Sequence, residues 1–177
     1  MKRGSAAMAA AFALLATGAS AARAQDFGGA FDGFSESEEP IQIEADKLEV
    51  HDAEKRAVYS GNVSARQGDT LLEAPELRVF YAGAPDAEGK PGSELSRIEA
   101  GPGVVVSSLT QTATGDQMVI DIPQDRITMT GNVVLTEGPN VVRGEELVVN
   151  METKEGRMVG GRVQTLITPS AGRPATP

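Results

Sequence analysis

The chain has 177 residues, with 16 Lys and Arg against 25 Asp and Glu, one His and no Cys, and a formal net charge of −9. An acidic surface of this kind repels phosphate polymers and anionic membrane faces, which speaks against nucleic-acid binding driven by counterion release. Without cysteine there are no disulfides, no thiolate metal site and no thiol nucleophile, so stability has to come from a core.

Residues 1–24 carry Lys2 and Arg3, then an apolar run through Ala16, then small residues ending in Ala22-Arg23-Ala24. This predicts a secretory signal peptide, because the run is shorter than the roughly 20 apolar residues a helix needs to span a bilayer and it closes on an Ala-x-Ala pattern. The expected mature chain starts at Gln25 outside the cytoplasm, with 13 bases against 25 acids and a net charge of −12. Residues 25–39 (QDFGGAFDGFSESEE) read as a flexible leader. Its Phe27, Phe31 and Phe34 could form a docking segment, a solvated linker being the simpler reading.

From Pro40 to Ile167 apolar and polar residues alternate with period two, broken by turn chemistry near residues 51–54, 66–69, 123–125, 137–140 and 153–156. Such a pattern predicts an all-β domain over 40–167. The alternation slips by one residue at Asp46-Lys47, Pro75-Glu76, Asp116-Gln117 and Glu145-Glu146. A slip turns the apolar set outward unless the strand bends there, so each acid is expected to mark a corner and the sheet to wrap around its apolar side. Two facing antiparallel sheets joined at bent corners make a jelly roll or a flattened solenoid, with a long apolar trough inside. Residues 95–106 are the expected strands joining two halves, 82–93 a polar loop, and 168–177 a disordered tail. Gly83–Pro91 misses the phosphate-loop spacing by one residue, places Pro91 where Ser or Thr should hold magnesium, and precedes no helix; it reads as a plain loop.

The two halves are visible as a repeat. Residues 43–81 overlay 113–151 without a gap at an offset of 70, with nine identities that include Asp46/Asp116, Gly61-Asn62-Val63/Gly131-Asn132-Val133 and Glu76-Leu77/Glu146-Leu147. Average residue usage gives about two or three by chance.

The ordered set PIQIEAD (40–46), YSGNV (59–63), IEAGPGV (98–104), GDQMVID (115–121), MTGNV (129–133) and G-x-x-L-V-V (144–149) resembles the LptA/OstA family of periplasmic lipopolysaccharide-transport proteins. The resemblance covers roughly residues 40–165. It implies a twisted antiparallel β-jellyroll, V-shaped and with an open apolar interior, that shields the acyl chains of lipid A between the inner and outer membranes, with energy supplied by a partner ATPase complex and no cofactor in this chain. Partners implied are lipopolysaccharide, an LptC-like inner-membrane protein and an LptD-like outer-membrane protein. The chain departs from the last two in lacking a retained span and a barrel domain, which favours the soluble bridging component.

By the matched segments, Ile41, Ile43, Met118 and Ile120 are candidate lipid-contact residues, and Val104 and Val106 join them by position; for each, ordinary core packing is the competing reading. Tyr59, Leu77, Val79, Met129 and Val133 are expected deeper in the core, and Ala45, Ala65, Ala74 and Ala100 inside a hollow. Lys47, Arg97 and Arg143 are possible phosphate contacts, with solvated surface the simpler reading. The edges of an unclosed jellyroll, with Gln42 and Glu44 at one end and Val163, Gln164 and Thr165 at the other, are candidate partner interfaces and a route to head-to-tail self-association. No metal site is expected. Catalysis is disfavoured because His51, the one histidine, lies in a predicted turn with no triad partners. A structural or adhesive β-solenoid filled by its own side chains is the remaining alternative.

Overall fold

The computed structural model describes residues 29–36, 39–83 and 94–168; the expected signal peptide, Phe27, most of the 82–93 loop and all but the first residue of the 168–177 tail lie outside the described residues. Twelve strands follow in chain order: β1 Gln42–Glu44, β2 Lys47–His51, β3 Arg56–Gln67, β4 Thr70–Ala82, β5 Glu94–Ala100, β6 Val104–Ser107, β7 Gln111–Gly115, β8 Gln117–Asp121, β9 Arg126–Glu137, β10 Asn140–Asn150, β11 Gly156–Val159 and β12 Gln164–Leu166. All pair antiparallel within one sheet. Among the described residues no helix is long and apolar enough to cross a membrane.

The pairing resolves into two lanes that meet along a line. The first lane runs β2, β3 (56–60), β4 (76–82), β5, β8, β9 (126–130), β10 (146–150) and β11. The second runs β1, β3 (63–67), β4 (70–74), β6, β7, β9 (133–137), β10 (140–143) and β12. Strands β3, β4, β9 and β10 cross the line, and the pairs β1/β2, β5/β6, β7/β8 and β11/β12 are broken by it. The chain is therefore one six-strand unit used twice, β1–β6 and β7–β12. The sequence repeat stopped at β4 and β10 because the 82–93 loop destroys the constant offset beyond them. Residues 95–106 join the halves as expected, with β5 and β6 paired to β4 on one side and to β8 and β7 on the other.

The line is built from the repeated Gly-Asn. Gly61 and Asn62 have φ of 79° and 46°, and Gly131 and Asn132 have 79° and 48°. Two consecutive residues at positive φ against one on the partner strand make a bulge, and this is the conformation Gly and Asn reach at least cost. Each bulge is clamped by an acid across the strand break. The Asp46 N–H donates to the Gly61 carbonyl at 2.9 Å, while Asn62 Nδ2 donates to Asp46 Oδ2 at 2.8 Å. In the second half the Asp116 N–H donates to the Gly131 carbonyl at 2.9 Å and Asn132 Nδ2 to Asp116 Oδ2 at 3.2 Å. Gly101-Pro102-Gly103 breaks β5 from β6 on the same line, and Gly160-Gly161 breaks β11 from β12 against Glu145. The acids predicted to be corners thus face the corners, and the bulged residues are the Gly-Asn pairs.

Inner faces of both lanes share one core that includes Leu72, Leu77, Val79, Met129, Val133 and Leu147. Two expectations need correction. Ala45 is exposed in the break between β1 and β2 at the open first edge, and Tyr59 is only half-buried on β3, whose cover on that side is the edge strand β2 alone. Residues 29–36 of the expected flexible leader instead form a 3-10 turn, Gly29–Phe31, and a single α-helical turn, α1 Asp32–Glu36, with Ala30 and Phe31 buried in the core. Phe31 supplies more apolar area than the linker reading allowed, and burying such a side chain is worth about 1.5–3 kcal/mol.

A Cβ placed on Gly131 would lie 2.3 Å from Asp116 Oδ2 and 2.7 Å from its Cβ. Gly131→Ala is expected to lower the unfolding free energy by about 2 kcal/mol or more, whereas Asn132→Gly, which keeps the left-handed conformation, should cost about 1 kcal/mol or less. Urea denaturation of the two variants checks both values.

Candidate functional site: an apolar groove across the strands

Because inward residues face each other across every pairing, they form rows perpendicular to the strands. In the first lane one row runs Leu48, Tyr59, Leu77, Ala100, Met118, Met129, Leu147, Met158. Beside it run Val50, Ala57, Val79, Ile98, Ile120, Ile127 and Val149. The second lane contributes Ile43, Ala65, Leu72, Val106, Ala113, Leu135 and Val142, ending at Thr165. Seven inter-strand steps of ~4.8 Å make each full row ~34 Å long.

Every candidate lipid-contact residue falls on or beside these rows. Val104, Val106, Met118 and Ile120 are buried in the common core, and Ile41 and Ile43 are half-buried against it. The rows also contain Leu72, Ile98, Ala113, Ile127 and Leu135, which short motif matches did not single out; the phase-slip pattern, followed through every strand, marks them. Phe31 was missed as a core residue because no periodicity surrounds it.

The repeat exposes a physical contrast. At the offset of 70, Leu48 corresponds to Met118 and Val50 to Ile120, yet Leu48 and Val50 are 52% and 58% exposed while Met118 and Ile120 are 1% and 2% exposed. Strand β8 lies between β5 and β9, whereas β2 has β3 on one side and, among the described residues, no strand on the other. The apolar rows are therefore uncovered at this first edge. At the opposite edge Val163, Leu166 and Ile167 are exposed, and so are all five candidate interface residues Gln42, Glu44, Val163, Gln164 and Thr165.

Charge is kept on the outer face. Arg97 pairs with Glu99 at 2.8 Å and approaches Asp121 at 3.8 Å, and Arg78 pairs with Glu76. A cleft of about 470 Å³ is lined by the charges of Glu76, Arg78, Arg97 and Glu99 together with the apolar Ala100, Pro102, Met118 and Val119. Lys47 pairs with Glu49 at 2.9 Å, and that hydrogen bond and charge hold the Glu49 carboxyl below its ordinary range. Two of the possible phosphate contacts, Lys47 and Arg97, thus already face carboxylates. Among the described residues no three His, Asp or Glu side chains converge to hold a metal.

At the open edge Tyr59 and Tyr81 meet. Burial, and then the neighbouring Tyr59, push the Tyr81 phenol above the ordinary tyrosine range. A pKa raised in the folded state adds stability that is complete below the unfolded value and is lost as pH climbs through the folded one.

Residues 42–155 match the model of a family described as LptA/(LptD N-terminal domain) LPS transport protein. An uncharacterized protein of Rhizobium meliloti is 40% identical over 157 residues, spanning 86% of this chain and 84% of the relative. The lipopolysaccharide export system protein LptA of Escherichia coli K12 is 23% identical over 150 residues, spanning 80% of this chain and 77% of that protein. Among solved structures, the crystal structure of LptH, the LptA-homologous periplasmic component of the lipopolysaccharide transport device of Pseudomonas aeruginosa, superposes with a TM-score of 0.64 at 18% identity, covering 76% of this chain and 99% of that one. That likeness carries the all-β, jellyroll-like fold.

In a tyrosinate absorbance titration, Tyr81 should ionise above 10.0. In Tyr59→Phe it should titrate lower than in the wild type but still above that value, since burial, the larger cause, persists.

Proposed function

The chain belongs to the LptA/(LptD N-terminal domain) family of LPS transport proteins, and from that premise we propose that it is a periplasmic carrier that shields lipid A acyl chains in its groove between the inner and outer membranes. The observation that carries this reading is the set of uninterrupted apolar rows ending in exposed Leu48 and Val50. Each methylene moved from water into such a groove is worth about 0.8 kcal/mol, so even part of one acyl chain supplies several kcal/mol. Release is the harder requirement, and two similar halves of similar affinity let a chain move along without a deep trap. The anionic headgroup of the lipid meets an acidic protein and projects into solvent.

Fully buried Val106 and Met118 favour one rival, a structural solenoid filled by its own side chains. Photoreactive residues at Ile43 and Ile120 separate the two. They are expected to crosslink to lipopolysaccharide in cells, while one at the exposed outer-face residue Glu73 should not. Absence of crosslinks at both inner positions, or an equal yield at Glu73, rejects the carrier reading.

The edges support continuation of the sheet into LptC-like and LptD-like partners and into further copies of this chain. The junction between the halves supplies a template, since β5 and β6 meet β8 and β7 as β11 and β12 of one copy would meet β2 and β1 of the next. Transferring the register sets Met158 opposite Leu48, Arg157 opposite Glu49, Thr165 opposite Ile43 and Gln164 opposite Glu44. Arg157 against Glu49 brings opposite charges together. Because the chain has no cysteine, the double variant Glu49→Cys/Arg157→Cys should give a disulfide-linked ladder under mild oxidation. Val50→Cys/Arg157→Cys, one residue out of register, should not.

A further inference from the structure

We propose that residues 29–36 are a displaceable occupant of the groove, and that the space filled by Ala30 and Phe31 is a subsite for one amide- or ester-linked acyl chain. This rests on the carrier reading above.

The segment has a receptor built for it. Thr70 and Gln111 are the two buried polar side chains among the described residues, at 1% and 4% exposure, and both are aimed at this segment. Gln111 Oε1 accepts the Ala30 N–H at 3.0 Å, and Thr70 Oγ1 accepts the Gly33 N–H at 2.9 Å. Contact is close enough to demand glycine. A Cβ on Gly33 would stand 2.3 Å from the Gln67 carbonyl oxygen and 2.6 Å from Thr70, and one on Gly29 would stand 3.0 Å from the Gln111 side chain. Thr70 opens β4 and Gln111 opens β7, so both lie on the free rim of the second lane. Asp32 meanwhile reaches Lys154, in the turn between β10 and β11 on the free rim of the first lane, at 3.6 Å. The segment therefore spans the two lips of the groove on the side away from the corner line, with Phe31 pointing into the common core at 1% exposure.

Its hold is of a kind a lipid can replace. One helical turn has no cooperativity of its own, and the Asp32–Lys154 pair is partly exposed and contributes little. The main hold is the burial of Phe31 and Ala30, the packing of half-buried Phe34 against the core, and the hydrogen bonds to Gln111 and Thr70 at the rim. An acyl chain offers equivalent apolar area. Where the link at the rim is an amide, its N–H can donate to Gln111 Oε1 as Ala30 does and its carbonyl can accept from the Thr70 hydroxyl; an ester carbonyl can only accept, from the Thr70 hydroxyl and, once the side-chain amide has turned over, from Gln111.

The test uses the mature chain, with a fluorescent long-chain fatty acid and lipopolysaccharide as probes. Saturating either probe should raise amide hydrogen exchange across residues 29–36 while the β8–β9 amides stay protected. Gly33→Ala, which expels the segment without touching the sheet, should bind the fatty acid about tenfold more tightly, as expected if the open form is a ~10% minority in the wild type. Unchanged or increased protection of residues 29–36 at saturation overturns the proposal, as does wild-type affinity in Gly33→Ala together with the absence of faster exchange. If wild type and variant bind neither probe, the carrier reading falls and takes this one with it. If the wild type binds while residues 29–36 stay protected, the subsite alone is rejected.

Discussion

Everything in this architecture depends on a line of left-handed corners kept in step across the strands. A sheet with inward residues on both sides of a bend must shift its alternation by one at the bend, and a shift made in one strand alone would tear the ladder. Here the shift is made at every strand crossing, by Gly-Asn bulges in β3 and β9, opposite them at Pro75-Glu76 in β4 and Glu145-Glu146 in β10, and by strand breaks in the remaining pairs. The Asp46 and Asp116 side chains fasten the bulges from across the breaks. The two lanes then close on a common core without either turning its apolar face to water.

Much of this was legible beforehand for the same reason. The acids Asp46, Asp116 and Glu145 stand where the period-two pattern changes phase, and a phase change in a half-buried strand has few physical causes. The 70-residue offset followed because both halves solve the same corner with the same residues. What stayed hidden has equally physical causes. The last two strands of each repeat unit, β5–β6 and β11–β12, could not be matched because the 82–93 loop destroys a constant offset. Residues 29–36 were hidden because their burial depends on two polar side chains 37 and 81 positions away, which no local pattern encodes. Wall and core residues such as Val106 and Met118 look alike in sequence because in this fold they are the same residues.

Under the proposed carrier role, an interior whose wall is also its core would have to exchange one set of apolar contacts for another on taking a ligand. The open first edge and the segment across the lips are the two places where that exchange meets least resistance: Leu48 and Val50 already face solvent, and Phe31 belongs to a piece of chain that pairs with no strand. In the strands between the two edges the inward side chains are locked between neighbours on both flanks, and admitting a guest there means moving several of them together.

The rows carry one asymmetry that the backbone repeat conceals. Where the first unit offers Leu48, Tyr59 and Ala100, the second offers Met118, Met129 and Met158, and with Met151 these are all the methionines beyond residue 8. Thioether side chains are unbranched and re-pack at little cost, so the downstream half is the more compliant of two congruent surfaces. Two units of one shape thus differ in mechanical softness, and a flexible hydrocarbon lying across both would be held by fit at one end and by accommodation at the other.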